Sequence, residues 1–303
     1  MNVIETYGLE KTFGTKHAVN HFNMQVKQGD IYGFVGRNGA GKSTVMKMLS
    51  GLAHPTKGEI KLFGKSIAEA YSYERMGVLI EAPGLYPRLS AYDNMMMKAL
   101  CLGVVDAKSK VNQLLEYVGL AETGKKKTSQ FSMGMKQRLG LALALLGDID
   151  ILLLDEPLNG LDPEGAREIR QLIQHLNEER GVTVLISSHV LEQLGKMATR
   201  YGIIKDGTMV CELSAAEVEY ECRDFIELSV SDPTLALALL SEQIPQASFV
   251  AMPGGSIRVS GVSDGALIGE VLHKENIAIY GLHMHKRDLE DFFVELMGDD
   301  RHA

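Results

Sequence analysis

The sequence predicts an α/β fold built on a parallel sheet, followed by a smaller α+β unit. Three observations carry that prediction. A glycine-rich turn, Gly36-Arg37-Asn38-Gly39-Ala40-Gly41-Lys42-Ser43-Thr44, separates the apolar run Ile31-Tyr32-Gly33-Phe34-Val35 from the helix-like run Val45-Met46-Lys47-Met48-Leu49. Ile151-Leu152-Leu153-Leu154 is almost uniformly apolar, as expected of a strand buried on both faces of a parallel sheet. Beyond Cys222 the pattern becomes short alternating runs and short helical stripes in the order β-α-β-β-α-β, which is ferredoxin-like.

Residues 1–30 alternate irregularly, with apolar Val19, Phe22, Met24 and Val26, and predict a strand-rich start closed by the Gln28-Gly29-Asp30 turn. The strand at 31–35, the glycine turn and the helix after it form the strand–loop–helix context that a phosphate-binding loop needs. Short strands are predicted at 58–64 and 77–80. A helical segment then interrupts the α/β rhythm at about residues 85–147, where Val111, Leu114, Leu115 and Val118 recur at helical spacing. The rhythm resumes at 151–154. Pro163 after Asp162 starts a helix reaching about Asn177, 182–186 is the next central strand, and a helix begins near Val190. A strand at 201–205 leads to a hairpin turn at Asp206-Gly207.

The second unit, 222–303, is predicted from alternation at Ile226, Leu228 and Val230, and from a cap and first turn at Asp232-Pro233 for a helix over 234–243. Strands at 249–252 and 257–259 flank Pro253-Gly254-Gly255. A helix at 266–272, a strand at 277–282 and a terminal helix with Leu289, Phe292, Phe293 and Leu296 on one stripe complete it.

Composition bounds the function. The 303 residues are 45% hydrophobic and 23% charged, as in a globular protein, and the net charge of -8 argues against a nucleic-acid partner. The start lacks a basic segment followed by an apolar core, so no secretory signal is predicted. The greasiest stretch, 139–154, is broken by Asp148 and Asp150 and is too short to span a bilayer, so any membrane role must run through a partner. Cys101, Cys211 and Cys222 have neither metal-ligand nor disulfide-framework spacing. His283 and His285 read as surface residues, the Lys125-Lys126-Lys127 run as a solvated loop, and the Met95-Met96-Met97 cluster as helix packing or a partner surface.

The glycines of the loop let backbone N–H groups converge on a polyphosphate, with Lys42 reaching its terminal phosphates and Ser43 offering a hydroxyl to Mg²⁺. Asp155 and Glu156 end an apolar strand, where open α/β sheets bind ligands. Asp155 is the natural second holder of Mg²⁺, and Glu156 can orient or deprotonate an attacking water. His189 follows the apolar strand ending at Ser187-Ser188. It either bridges to the γ-phosphate or the water, or makes a local hydrogen bond at a helix start.

With these motifs in order, residues 1–213 resemble the ATPase subunit of ATP-binding cassette (ABC) transporters, a P-loop NTPase fold with a helical insert. The P-loop supplies Gly36, Asn38, Gly39, Gly41, Lys42, Ser43 and Thr44. Phe131-Ser132-Met133-Gly134-Met135-Lys136-Gln137-Arg138 resembles the family signature, Asn159-Gly160-Leu161-Asp162-Pro163 the D-loop, and His189 the switch histidine. The resemblance implies ATP and Mg²⁺ as ligands, with adenine stacked on Phe13. It implies a homodimer, or pair of ATPase domains, in which Ser132 and Gly134 touch the γ-phosphate of the other subunit and Asp162 links the two sites. It further implies integral membrane permease subunits as partners, and a peripheral place at the cytoplasmic face of the membrane. Three positions depart from the pattern: Met133 stands for a common glycine, Met135 for a glutamine, and Glu81 for the glutamine that lines the Mg²⁺ site and couples to the membrane domain. Glu81, the run from Gly134 to Gly140 and Leu289-Glu290-Asp291-Phe292-Phe293 are similar to the branch that exports bacitracin and lantibiotic peptides or protects against them. The alternative is a soluble ATP-gated regulator or scaffold using the same dimer without transport.

Overall fold

The computed structural model describes residues 1–67, 71–262, 265–285 and 289–298. The chain divides into two units, Met1–Ala215 and Ala216–Ala303. In the first unit, β1 (Asn2–Phe13) and β2 (Lys16–Lys27) form a long hairpin. β3 (Ile31–Val35) leads through the glycine turn into α1 (Lys42–Leu49), followed by β4 (Lys57–Leu62), β5 (Lys65–Ser66) and β6 (Met76–Leu79). The insert comprises α2 (Ala91–Cys101), α3 (Ala107–Tyr117) and α4 (Met133–Ala144), with two short 3₁₀ turns between α3 and α4. Then come β7 (Ile151–Asp155), α5 (Pro163–Arg180), β8 (Thr183–Ser188), α6 (Leu191–Gly195), β9 (Arg200–Lys205) and β10 (Thr208–Ser214).

Two sheets result. An antiparallel one has the order β2-β1-β4-β5, and a six-stranded one the order β10-β9-β3-β8-β7-β6. Within the second, β9, β3, β8, β7 and β6 run parallel, and β10 adds an antiparallel edge. β3, β7 and β8 are buried throughout, which explains their nearly unbroken apolar sequence. One core joins the sheets: Phe22 of β2 meets Phe34 of β3 edge-on at 5.7 Å, and α1 adds Val45, Met46, Met48 and Leu49. The phosphate-loop helix is thus held by apolar contact between both sheets rather than by its own short length.

The insert is anchored by polar contacts that the apolar spacing alone did not reveal. Ser90 caps α2 through Asp93 N–H, and the Asp93 carboxylate returns to Ser90. Asn94 accepts from Tyr86 N–H and donates to the carbonyls of Tyr86 and Ser90, which pins the segment leading into α2.

α7 (Ala215–Glu221) begins at the boundary, and the second unit continues with β11 (Phe225–Val230), α8 (Pro233–Gln243), β12 (Ser248–Ala251), β13 (Ile257–Ser260), α9 (Gly265–Lys274), β14 (Ile279–His285) and α10 (Leu289–Leu296). From β11 to β14 the order is β-α-β-β-α-β, and the antiparallel sheet order is β12-β13-β11-β14. Its own core gathers Ile226, Leu228, Leu240, Ile257, Val259, Ile268 and Leu272. The last strand lies later than the predicted 277–282, because pairing with β11 continues to Phe225↔His285. The helix expected near Val190 is only the five-residue α6.

A buried polar contact ties β3 to β10. Tyr32 Oη donates to Glu212 Oε1 at 2.6 Å, and the same oxygen accepts from Gln25 N–H at 3.2 Å. The ring passes over Gly202, where a Cβ would lie 2.1 Å from Tyr32 Oη, so glycine is needed there. Burial and the neighbouring Glu212 charge raise the Tyr32 phenol well above the usual tyrosine value, keeping it a neutral donor. We expect Tyr32→Phe to destabilise the first unit by about 1.5–3 kcal/mol, the range for a hydrogen bond to a charged group. Urea unfolding followed by far-UV circular dichroism checks this; an unchanged midpoint would show that the contact contributes nothing net.

Candidate active site

Parallel pairing brings three motifs to one end of the large sheet. Val35 of β3 pairs with Ser188 of β8, and Asp155 of β7 with Ser187, so Gly36, Asp155, Glu156 and His189 follow neighbouring strand ends. Gly36 lies so close to β9 that a Cβ would sit 2.6 Å from the Ile204 carbonyl oxygen. Gly41 has φ +111 and its Cβ would meet the Ala18 carbonyl oxygen at 2.7 Å, so the loop turns into α1 only with glycine there. Asn38 and Gly39 are exposed at the loop tip, and Ser43 and Thr44 are half-buried in the first turn of α1.

Lys42 is only 5% exposed. Its ammonium donates to the carbonyls of Gly36 at 2.6 Å and Arg37 at 3.3 Å, and lies 3.4 Å from Glu156 Oε1. A lysine has three protons and no acceptor, so three oxygens satisfy it. The other oxygen of Glu156 lies 2.7 Å from His189 Nδ1. Lys42, Glu156 and His189 therefore form one cluster. Glu156 has φ +50, a left-handed conformation that costs a non-glycine residue energy and is concentrated at functional sites.

Asp155 is 5% exposed and accepts from Ser187 Oγ at 2.5 Å. The same hydroxyl oxygen accepts the Glu156 amide at 2.9 Å. Ser187 thus orients both acids. It was not among the residues singled out from sequence; the signal was a pair of hydroxyls, Ser187-Ser188, ending an otherwise apolar strand.

A second cluster forms where two helices start. Ser132 caps α4 by accepting Met135 N–H at 3.2 Å, and Asp162 caps α5 by accepting Gly165 N–H at 3.2 Å. Ser132, Met133, Gly134, Gly160, Leu161 and Asp162 line a common open cleft of about 360 Å³. Two helix N-termini meet on this cleft, which Arg138, Glu164 and Glu168 also line. Met133 is 57% exposed. Its side chain faces solvent and fills no part of the core.

The remaining predicted residues stand at the margins. Phe13 ends β1 and is 55% exposed, with Lys11 Nζ 4.9 Å from its ring centroid. Glu81 follows β6 at φ +63, and its carboxylate pairs with Lys47 of α1. The structure therefore brings Glu81 to the phosphate-loop helix through a lysine that the sequence reading passed over. Among the described residues, no group of three or more His, Cys, Asp or Glu side chains is arranged to hold a metal ion. His285 instead bonds Glu227 at 3.0 Å and stacks on Phe225. None of the three cysteines forms a disulfide.

The ABC transporter family profile matches residues 19–159. The bacitracin transport ATP-binding protein BcrA of Bacillus licheniformis is 39% identical over 299 residues, covering 98% of this chain and 97% of the relative. BcrA of Enterococcus faecalis is 40% identical over 301 residues, covering 98% and 96%. The lantibiotic transport ATP-binding protein SrtF of Streptococcus pyogenes is 41% identical over 210 residues, covering 69% of this chain and 90% of its own. Among solved structures, a dimeric ATP-binding cassette in a post-hydrolysis state with ADP and phosphate is 25% identical, with a TM-score of 0.64 over 70% of this chain and 98% of that one. The protein belongs to the ABC transporter family and is an ATP-binding, ATP-hydrolysing subunit.

Proposed function

We propose that the protein powers a separate integral membrane permease that exports an antimicrobial peptide or another hydrophobic compound. The cluster of Lys42, Glu156 and His189 at the sheet's ligand-binding end carries this reading for the hydrolytic step. Similarity to bacitracin and lantibiotic transport proteins along most of the chain supports the export direction, and favours transport over a soluble regulator or scaffold. Among the described residues no helix is long and apolar enough to cross a membrane, so the permease would hold the subunit at the cytoplasmic face. A partly apolar groove lined by Val78, Leu79, Pro83, Tyr86, Met97 and Leu143 adjoins the junction after Glu81 and offers a docking place for a permease segment.

In hydrolysis, the P-loop amides and Lys42 would hold the β- and γ-phosphates, the ammonium exchanging Gly36 O and Glu156 for phosphate oxygens. Glu156 would take a proton from the attacking water as its oxygen bonds to the γ-phosphorus and the bond to ADP breaks. His189, already on Glu156, would fix the carboxylate and reach the departing phosphoryl group. Ser43 and Asp155 suit Mg²⁺, which prefers oxygen donors and takes few protein carboxylates beside phosphate. Asp155 accepts from Ser187 through Oδ1, which would leave its other oxygen to the ion. When bound, the ion neutralises charge on the β- and γ-oxygens. Glu81 gives Oε1 to Lys47, so it would join the ion through its other oxygen or by exchanging that lysine. Ser132 and Gly134, on a cleft shared with Asp162, would receive the γ-phosphate held by a second ATPase domain in a homodimer or mixed pair.

Lys42→Ala should lower kcat/KM for ATP by at least about 100-fold, since a charge-assisted contact to the phosphates is lost. Steady-state phosphate release measures it, and unchanged turnover with unchanged ATP affinity would defeat the assignment. Glu156→Gln should keep ATP binding, slow single-turnover hydrolysis by about 100-fold or more, and accumulate a nucleotide-bound dimer on sedimentation. Hydrolysis at the parent rate would remove Glu156 from the proton-transfer role. Glu81→Ala should reduce permease-stimulated ATPase in proteoliposomes several-fold more than it reduces the isolated subunit's activity. Equal losses in both would favour a local ion-binding role.

A further inference from the structure

We propose that Lys11 is a positioning residue for the nucleobase: it tethers the Phe13 ring on one face and leaves the other for the purine. The inference rests on the reading of Phe13 as the stacking platform. Lys11 and Phe13 lie two apart on β1 and so share one face of the strand. The Lys11 ammonium lies 4.9 Å from the Phe13 centroid, within the range of a cation–π contact. The same ammonium donates to the His54 carbonyl at 2.7 Å.

That second contact gives the first its meaning. A lone lysine beside an exposed ring swings freely, whereas this one is fixed to the connection between α1 and β4. The tether therefore references the ring to the end of the helix whose start holds the phosphates. Phe13 is 55% exposed and lies at a hairpin end, opposite Lys16. Restricting the ring before the base arrives removes an ordering cost from binding. The backbone around it has anchors that do not involve Lys11. Thr12 N–H donates to Thr56 Oγ1 at 3.1 Å, and Thr56 N–H donates to the Glu10 carbonyl at 2.7 Å. Replacing Lys11 should thus loosen the ring without moving the strand.

The consequence is selective for ligands that carry a base. Calorimetric titration of the full chain with ADP and with inorganic pyrophosphate, both with Mg²⁺, compares matched diphosphates with and without adenosine. Lys11→Met should weaken ADP about three- to fivefold and leave pyrophosphate unchanged. KM for ATP should rise by a similar factor with kcat retained, and Lys11→Arg, which keeps a cation and a donor, should restore ADP affinity. Phe13→Ala should weaken ADP about tenfold or more and also spare pyrophosphate. Equal weakening of ADP and pyrophosphate by Lys11→Met would mean that the lysine acts through the phosphate loop, and would overturn the proposal. Loss of ADP affinity in Phe13→Ala but not in Lys11→Met would overturn the tether while keeping the stacking role. No effect of Phe13→Ala on ADP would overturn both.

Discussion

The buried ammonium of Lys42 is the constraint around which the catalytic end is arranged. A charge that is only 5% exposed is costly unless paired and hydrogen-bonded. Here two loop carbonyls and one oxygen of Glu156 satisfy it. Each requirement propagates. The backbone at Gly36, whose carbonyl accepts from Lys42, lies so close to Ile204 that no side chain fits there. Glu156 reaches it only from a left-handed backbone, held by the Ser187 hydroxyl. In the proposed reaction nucleotide phosphate replaces the Gly36 and Glu156 oxygens, so the pairing that makes the lysine tolerable would also leave it ready to exchange partners.

The two sheets explain why this arrangement persists. α1 has eight residues, too few to be stable alone, yet its apolar side chains sit in the core between the antiparallel and parallel sheets. Side-by-side pairing of β3, β8 and β7 then fixes which residues meet. A one-residue slip of β8 against β7 would invert the faces of β8 and take Ser187 away from Asp155. The contact of Tyr32 with Glu212 adds a polar tie from the P-loop strand to β10, the last strand of the first unit.

Much of this was legible from sequence because the signals are local. The glycine turn, the acidic strand end and the helix caps at Asp162 and Asp232 are each set by neighbouring residues, and the observed caps accept from Gly165 and Leu235. The β-α-β-β-α-β order of the second unit was legible for the same reason: alternation and turn residues mark each element. What escaped was long-range. Ser187 matters through residues 32 and 31 positions away in sequence, Glu81 through Lys47, and Lys11 through His54. Nothing in the local pattern of Lys11 and Lys47 distinguishes them from solvated lysines, and the Ser187-Ser188 pair marks a strand end without naming its partners. The end of β14 was misplaced because an exposed edge strand carries little apolar alternation, and its length is set by pairing with β11.

The most direct measurement is a crystal structure of the protein with Mg²⁺ and a non-hydrolysable ATP analogue. The expected result has Lys42 Nζ within hydrogen-bonding distance of the terminal phosphates, released from Glu156, with Glu156 and His189 flanking the γ-phosphate. An analogue bound while Lys42 keeps its contacts to Gly36 and Glu156, or a nucleotide seated away from this strand end, would contradict the exchange on which the catalytic reading rests.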